Sequence, residues 1–327
     1  MSRSGKGRTV IAIIGMLSLA AVLAILFIRA ADDSVNPAET PEKGKYVVTS
    51  APMPDELDFA GEKTPLENFD VKEGLDRELL INTYWQSHTL LLIKRANRYF
   101  PIIEKILSEN GIPEDFKYLP VAESDLMNLI SPANAVGFWQ FRKATAMELG
   151  LEVNNEIDER YHLEKSTEKA CEFLQRSFEL YGSWTMTAAS YNMGRTGLNR
   201  QIERQNVRDY YDLLLNEETG RYVYRLLALK LIMENPEEYG FEFDKSDLYP
   251  PIPTYKITVD TAVKDFAEFA QRYSINYKIL KIFNPWLRDN KLTNAKGKTY
   301  YLSIPEKGYR NFTTESVEPE SGEGSPE

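Results

Sequence analysis

One cysteine and two histidines are all that 327 residues offer for thiol, imidazole or soft-metal chemistry, and that scarcity removes several classes of function. Cys171 cannot form an intramolecular disulfide and has no evident His partner, so neither a disulfide scaffold nor thiol catalysis is expected; it reads as a small core residue. His88 and His162 lie far apart, and neither falls in a cluster of metal-ligand spacing, so no metal is expected. No Gly-rich loop follows a strand, so the usual phosphate cradle is missing and no cofactor is implied. Positive charge is in deficit as well. With 39 Lys and Arg against 49 Asp and Glu, the chain carries a formal charge of -10 and a pI near 5.1. That balance repels a phosphate backbone, and no basic, aromatic-interleaved stripe offsets it, so nucleic acid is not an expected partner.

What is present begins at the N-terminus. Thr9 to Ile28 is an uncharged apolar run of about 20 residues, which as a helix covers roughly 30 Å, the thickness of a bilayer's hydrocarbon core. Arg3, Lys6 and Arg8 precede it, so the positive-inside rule keeps the short N-terminus in the cytoplasm and exports everything after Arg29. The alternative is a cleaved signal peptide. Against it, the run exceeds the usual ~7–15 apolar residues, and Ile28-Arg29-Ala30 is a poor small-residue cleavage site. No Cys follows the run, which excludes lipoprotein acylation there.

The exported part divides by composition. Residues 30–76 are rich in Pro, Asp, Glu and Lys without a sustained period, and are expected to form an extended linker. From 77 to 245 the pattern is helical, with breaks at Asn110-Gly111-Ile112-Pro113, Tyr181-Gly182-Ser183 and Asn192-Met193-Gly194, which predicts an all-α domain. Pro101 is placed in the first turn of a helix carrying Ile102, Ile103, Ile106 and Leu107, with Gly111 as its left-handed stop. Ala170, Phe173, Leu174 and Phe178 make one buried stripe bordered by Cys171, and Ser183 caps the helix that ends at Met193-Gly194. After Pro250, a strand at 255–259, two amphipathic helices and a strand near 300–304 predict a small βααβ module within 250–306. Residues 307–327 are acidic and poor in apolar side chains, and are expected to be a disordered tail.

Glu123 closes the segment Tyr118-Leu119-Pro120-Val121-Ala122-Glu123-Ser124, an apolar helical stretch with one face for the core and one for a cleft. Desolvation there raises a carboxyl pKa, and a carboxylic acid kept protonated near neutral pH suits glycosidic cleavage, in which the leaving oxygen must take a proton. A single glutamate is weak evidence, since most are solvated charges. Three further segments follow in order: Ser131-Pro132-Ala133-Asn134-Ala135-Val136-Gly137-Phe138-Trp139-Gln140-Phe141, then Ala188-Ala189-Ser190-Tyr191-Asn192-Met193-Gly194, then Glu218-Thr219-Gly220-Arg221-Tyr222-Val223. Together with Arg98-Tyr99-Phe100-Pro101 and Gly111-Ile112-Pro113 upstream, they make the chain resemble the lytic transglycosylases of the soluble-transglycosylase, lysozyme-like superfamily, in particular their membrane-bound type D branch.

That resemblance covers roughly half the chain. It implies a lysozyme-like all-α domain behind an N-terminal transmembrane helix, a mainly α chain overall, anchored in the inner membrane and facing the periplasm and cell wall, with peptidoglycan glycan strands as the partner. It implies Glu123 as catalytic, with Ser131, Gln140, Tyr191, Asn192 and Tyr222 lining the sugar cleft or holding the glutamate. Ser124 is expected to orient the turn, while Trp139 and Tyr191 can equally be core aromatics. The chain departs from the pattern at Asn134, Ser190 and Arg142-Lys143. Asn is the best non-Gly occupant of a left-handed backbone position, so the turn at Asn134 can survive. Arg142 and Lys143 either favour carboxylate-bearing peptide stems or form a solvated face.

Mechanism follows from counting carboxylates, because hydrolytic glycosidases usually need two and the motifs deliver one. Glu218 reads as helix-terminal and Asp158 as ion-paired. The resemblance then implies that Glu123 protonates the glycosidic oxygen and takes the proton of the muramyl C6 hydroxyl, leaving a 1,6-anhydro ring. The rivals are a hydrolytic muramidase of the goose-lysozyme kind and a non-catalytic wall-binding scaffold. Residues 255–305 resemble a degenerate LysM domain, through Asp260-Thr261, Phe269 to Ile275, Asn284-Pro285 and Tyr301 to Pro305. The usual Gly before Asp-Thr is missing, which leaves glycan binding and a structural cap both open.

Overall fold

The structure is a computed structural model that describes residues 48–309. The anchor at Thr9–Ile28, the first part of the expected linker and the tail from residue 310 onward lie outside the described residues. Among the described residues no helix is long and apolar enough to cross a membrane.

The linker expectation fails from residue 51 on. Ala51, Leu57 and Phe59 are buried in the main core, and a two-stranded hairpin, β1 (Asp58–Phe59) and β2 (Glu62–Lys63), stands where an extended tether was expected. Three contacts dock it. Phe59 packs edge-on against Phe116 at 5.3 Å between ring centroids. The Ala60 amide donates to the Asp115 carboxylate, which also pairs with Lys230 at 2.8 Å. The Glu62 carboxylate accepts from Ser183 and from the Thr185 amide, which satisfies open N–H groups at a helix start. Few apolar residues are needed when each is wholly buried, so average composition hid the packing.

Helix α1 (Phe69–Tyr84) also begins earlier than the expected domain start at 77, and it packs along α8 (Glu217–Glu234). Helix α2 runs unbroken over Gln86–Glu109 with Pro101 inside it, not in a first turn. The buried stripe Thr89, Leu92, Ile93, Ala96, Ile103, Ile106 and Leu107 continues straight through the proline. Burying that many apolar side chains, at about 1.5–3 kcal/mol each, outweighs the ~3 kcal/mol that an interior proline costs. Gly111 then supplies the expected stop at φ 65°. Short helix α3 (Tyr118–Ser124) follows, ending on Asp125 and Leu126, both left-handed.

After α4 (Lys143–Glu148) come α5 (Leu163–Tyr181), α6 (Trp184–Met193) and α7 (Arg195–Gln205). In α5 Ala170, Phe173 and Leu174 are buried as expected, whereas Phe178 is only half-buried and stacks on Trp184 at 3.9 Å between ring centroids; Cys171 is buried and its thiol is pushed up to about 12 by burial. Ser183 caps α6 by accepting from the Met186 amide, and Gly194 ends it at φ 82°.

The C-terminal segment forms the expected strand, two helices and strand: β3 (Thr254–Val259), α9 (Phe266–Gln271), α10 (Tyr277–Phe283) and β4 (Tyr300–Pro305), with β3 and β4 antiparallel. Asp265 and Asn276 cap its helices, and buried Asn284 ties α10 to both N–H and C=O of Ser303. The module is joined to the helical domain by backbone pairing. The Asp158 amide donates to the Trp286 carbonyl, the Arg288 amide to the Glu156 carbonyl, and the Glu156 carboxylate accepts from the Thr293 amide. Arg288 lies 4.0 Å over the Tyr161 ring, and Val136, Ile157 and Tyr161 belong to the same apolar cluster as Phe266, Trp286 and Leu287. Val136 of the 131–141 loop thus shares an apolar cluster with the module.

Candidate active site

Packing of α3 against α8 brings Glu123, in the last turn of α3, to Tyr222. The Tyr222 hydroxyl donates to Glu123 Oε1 at 2.6 Å. Glu123 is half-buried, and its carboxyl is walled in by protein. Burial pushes its pKa up to about 7, the Tyr222 hydrogen bond opposes the rise, the Glu218 carboxylate adds to it, and the Arg225 guanidinium opposes it. At neutral pH such a group divides between its protonated and ionised forms, which suits an acid that must later act as a base.

Glu218 and Arg225 are the members of this group that sequence reasoning missed. Glu218 does sit in the first turn of α8, as expected, yet its charge also reaches Glu123. Positions 218, 222 and 225 follow helical spacing and share one face, so the Tyr222 assignment carried a signal for both neighbours. Asn192 belongs to the same group. Its Oδ1 accepts from Thr219 Oγ1 at 2.8 Å, and its Nδ2 lies 3.3 Å from Glu218 Oε1.

The 131–141 loop is fastened at several carbonyls, two of them to neighbours of the site. The buried Ser124 hydroxyl reaches the Phe138 carbonyl at 2.8 Å, tying the loop to the residue after Glu123. The Tyr191 hydroxyl donates to the Trp139 carbonyl, and the charge of Glu123 adds to the burial that raises its pKa. Ser131 and Gln140 bond within this region: Ser131 Oγ accepts from the Ala135 amide, and Gln140 Nε2 donates to the Gly137 and Leu129 carbonyls. Gln140 adopts φ 47°, a conformation that costs a non-Gly residue energy and that collects at functional sites. Asn134 is left-handed at φ 59°, as its residue type suggested. Trp139 is a core residue, fully buried with its indole N–H on Thr167 Oγ1 at 2.8 Å.

The Asp158 ion pair is also found. Its carboxylate takes a two-pronged bond from Arg160, and Arg160 Nη1 reaches on to the Asn134 and Phe141 carbonyls, closing the loop at both ends.

Removing the Tyr222 hydroxyl tests the coupling at the centre of this site. In Tyr222→Phe the opposing hydrogen bond is gone while burial remains, so Glu123 should hold its proton to higher pH. A hydrogen bond to a charged group contributes about 1.5–3 kcal/mol, so the alkaline limb of the kcat/KM profile should move up by about one to two pH units. An unmoved limb would separate Tyr222 from Glu123.

Residues 100–214 match the family described as Transglycosylase SLT domain, and they hold Glu123, the 131–141 loop, Tyr191 and Asn192. The chain carries a transglycosylase SLT domain. Residues 255–308 match the soluble lytic transglycosylase C-terminal LysM-like domain. The chain is also 28% identical over 266 residues to the membrane-bound lytic murein transglycosylase D of Escherichia coli K12, a stretch that covers 79% of this chain and 57% of that protein. The same figures hold for its counterpart in Escherichia coli O6:H1. The chain thus spans little more than half the length of these relatives. Tyr222, Glu218 and Arg225 fall beyond the matched SLT residues, so the acid and its hydrogen-bond partner come from different sides of that boundary.

Proposed function

We propose that the chain is a peptidoglycan lytic transglycosylase that cleaves the β-1,4 bond between N-acetylmuramic acid and N-acetylglucosamine, with Glu123 as sole general acid and base. The observation that carries this reading is a walled-in carboxyl near pKa 7, held at 2.6 Å by Tyr222 within an SLT domain. In the first step protonated Glu123 gives its proton to the glycosidic oxygen as the C1–O bond breaks, and the substrate's N-acetyl group supports the positive charge developing at C1. In the second, the Glu123 carboxylate takes the proton of the muramyl C6 hydroxyl as O6 bonds to C1. The product is a 1,6-anhydro ring, Glu123 is again protonated, and no water is consumed.

A hydrolytic muramidase is the second reading, and the charge of Glu218 near Glu123 is what favours it, since a second carboxylate can direct water. Mass spectrometry of digested walls separates the two. Anhydro-muramyl ends are expected, and reducing muramyl ends would overturn the transglycosylase reading.

We also infer that residues 9–28 anchor the chain on the wall side of a membrane. The length and charge flanks of that run support this, as does the membrane-bound description of the relatives. Retention in the membrane fraction after a carbonate wash, lost when residues 9–28 are deleted, checks it.

A further inference from the structure

Beside the Asn192 and Glu218 pair lies a cavity of about 590 Å³ whose lining includes Met193, Gly197, Arg200, Arg204, Leu214 and Asn216. Its volume falls within the range of small-ligand sites, roughly 300–1,000 Å³. The link to the catalytic group is short. Met193 adjoins Asn192, and Asn216 caps α8 by accepting from the Thr219 amide at 2.8 Å, the residue whose hydroxyl holds Asn192.

Two features of the lining go beyond what folding needs. Arg200 and Arg204 stand one turn apart on α7, both exposed, and among the described residues neither makes an ion pair. Like charges at this spacing destabilise a helix by about 0.2–0.5 kcal/mol, and in a chain of net charge -10 acidic partners are plentiful. The nearby acid Glu217 is instead taken by Arg77 and Arg221. Leu214 is 74% exposed, and it is fixed there, because the Gln205 side-chain amide bonds both its N–H and its C=O. Gly197 lets Met193 pack against the start of α7, since a Cβ there would lie 2.7 Å from the Met193 side chain.

We propose that this pocket is a subsite for the carboxylate-bearing peptide stem of the substrate, with Arg200 and Arg204 pairing to carboxylates and Leu214 covering an apolar stretch of the stem. The proposal rests on the wall-cleaving reading for its ligand, and on the unpaired arginines and the cavity for its chemistry. Guanidinium forks match carboxylates in a two-pronged fashion, so each lost pair should weaken binding about tenfold.

The experiment compares wild type with the Arg200→Gln/Arg204→Gln double variant on intact walls and on glycan strands stripped of their peptides. Both side chains are exposed and mutually repulsive, so the variant should melt no lower than wild type. On intact walls its KM should rise at least tenfold with kcat retained, whereas on stripped strands the two proteins should match. In parallel, a free stem peptide is titrated into each protein by calorimetry, with its carboxyl-amidated form as the control. Wild type should bind only the free acid, and the variant neither. Equal KM on both substrates, or equal peptide binding by both proteins, would overturn the subsite. If wild type cleaved neither substrate, the catalytic reading would fall, while the peptide titration would still judge the pocket.

Discussion

Glu123→Gln is expected to lower glycan cleavage by at least about 10³-fold, because one substitution removes both the acid and the base and each such role contributes roughly 10²–10⁴-fold. The amide keeps the shape of the carboxyl and can still accept from Tyr222, so binding of intact walls should stay within about twofold of wild type by the affinity scale of small polar changes. Measuring product release by mass spectrometry and wall binding by pull-down on the same preparation separates these effects. Cleavage at the wild-type rate would remove Glu123 from its role, and absence of cleavage by either protein would favour the wall-binding scaffold.

The same variant has a stability signature. Folding raises the Glu123 pKa from 4.5 to about 7, so the folded chain holds this proton more tightly than the unfolded chain. Stability from this group is fully present below pH 4.5, declines as pH rises through that window, and is gone above about pH 7. A difference of about 2.5 pH units corresponds to about 3 kcal/mol at 1.36 kcal/mol per unit. Gln cannot titrate, so the Glu123→Gln protein should gain on wild type between pH 4.5 and pH 7, by up to that amount, when melting is followed across the range. Parallel melting curves for the two proteins would mean that burial does not penalise the Glu123 charge.

Much of the fold was readable where a local rule and the tertiary context agree. Gly111, Ser183 and Gly194 sit at helix ends because left-handed backbone and N–H capping select those residue types, and the βααβ order of the C-terminal module follows from alternating and helical periods. The failures occur where a few large contacts override local composition. Residues 51–67 look like a tether on average, but Phe59 and Glu62 fix them through one aromatic contact and one capping carboxylate. Pro101 breaks a helix rule because the apolar stripe on either side of it is continuous. At the site, Glu123 and Tyr222 were visible as motif residues, whereas Arg225 and the reach of Glu218 depend on how α8 packs against α3. The apolar cluster that Val136 shares with the module could not be read at all, because it joins residues more than a hundred positions apart.

Gly137→Ala is expected to be the most damaging conservative change in the site. Gly137 has φ 84°, and a Cβ built on it would lie 2.0 Å from the Arg160 carbonyl oxygen, backbone that cannot swing away as a side-chain tip can. Arg160 is itself pinned by its two-pronged bond to Asp158 and holds the Asn134 and Phe141 carbonyls, so the clash cannot be relieved without opening the loop. The left-handed backbone alone costs an Ala about 1–2 kcal/mol. Gly150 isolates that cost, since it has φ 87° with nothing within 4 Å of its Cβ position. Gly150→Ala should therefore lose about 1–2 kcal/mol, whereas Gly137→Ala should lose more than about 4 kcal/mol, the range reached only by a named structural break. At roughly 2–4 °C per kcal/mol for a chain of this size, melting should fall by about 10 °C or more for Gly137→Ala and by about 2–8 °C for Gly150→Ala. Activity adds a second readout. Opening the loop moves the Phe138 and Trp139 carbonyls away from Ser124 and Tyr191, so Gly137→Ala should also lose cleavage at temperatures where it remains folded, while Gly150→Ala should not. Equal melting for the two variants would mean that the Arg160 carbonyl can yield and that the loop is not clamped from both sides.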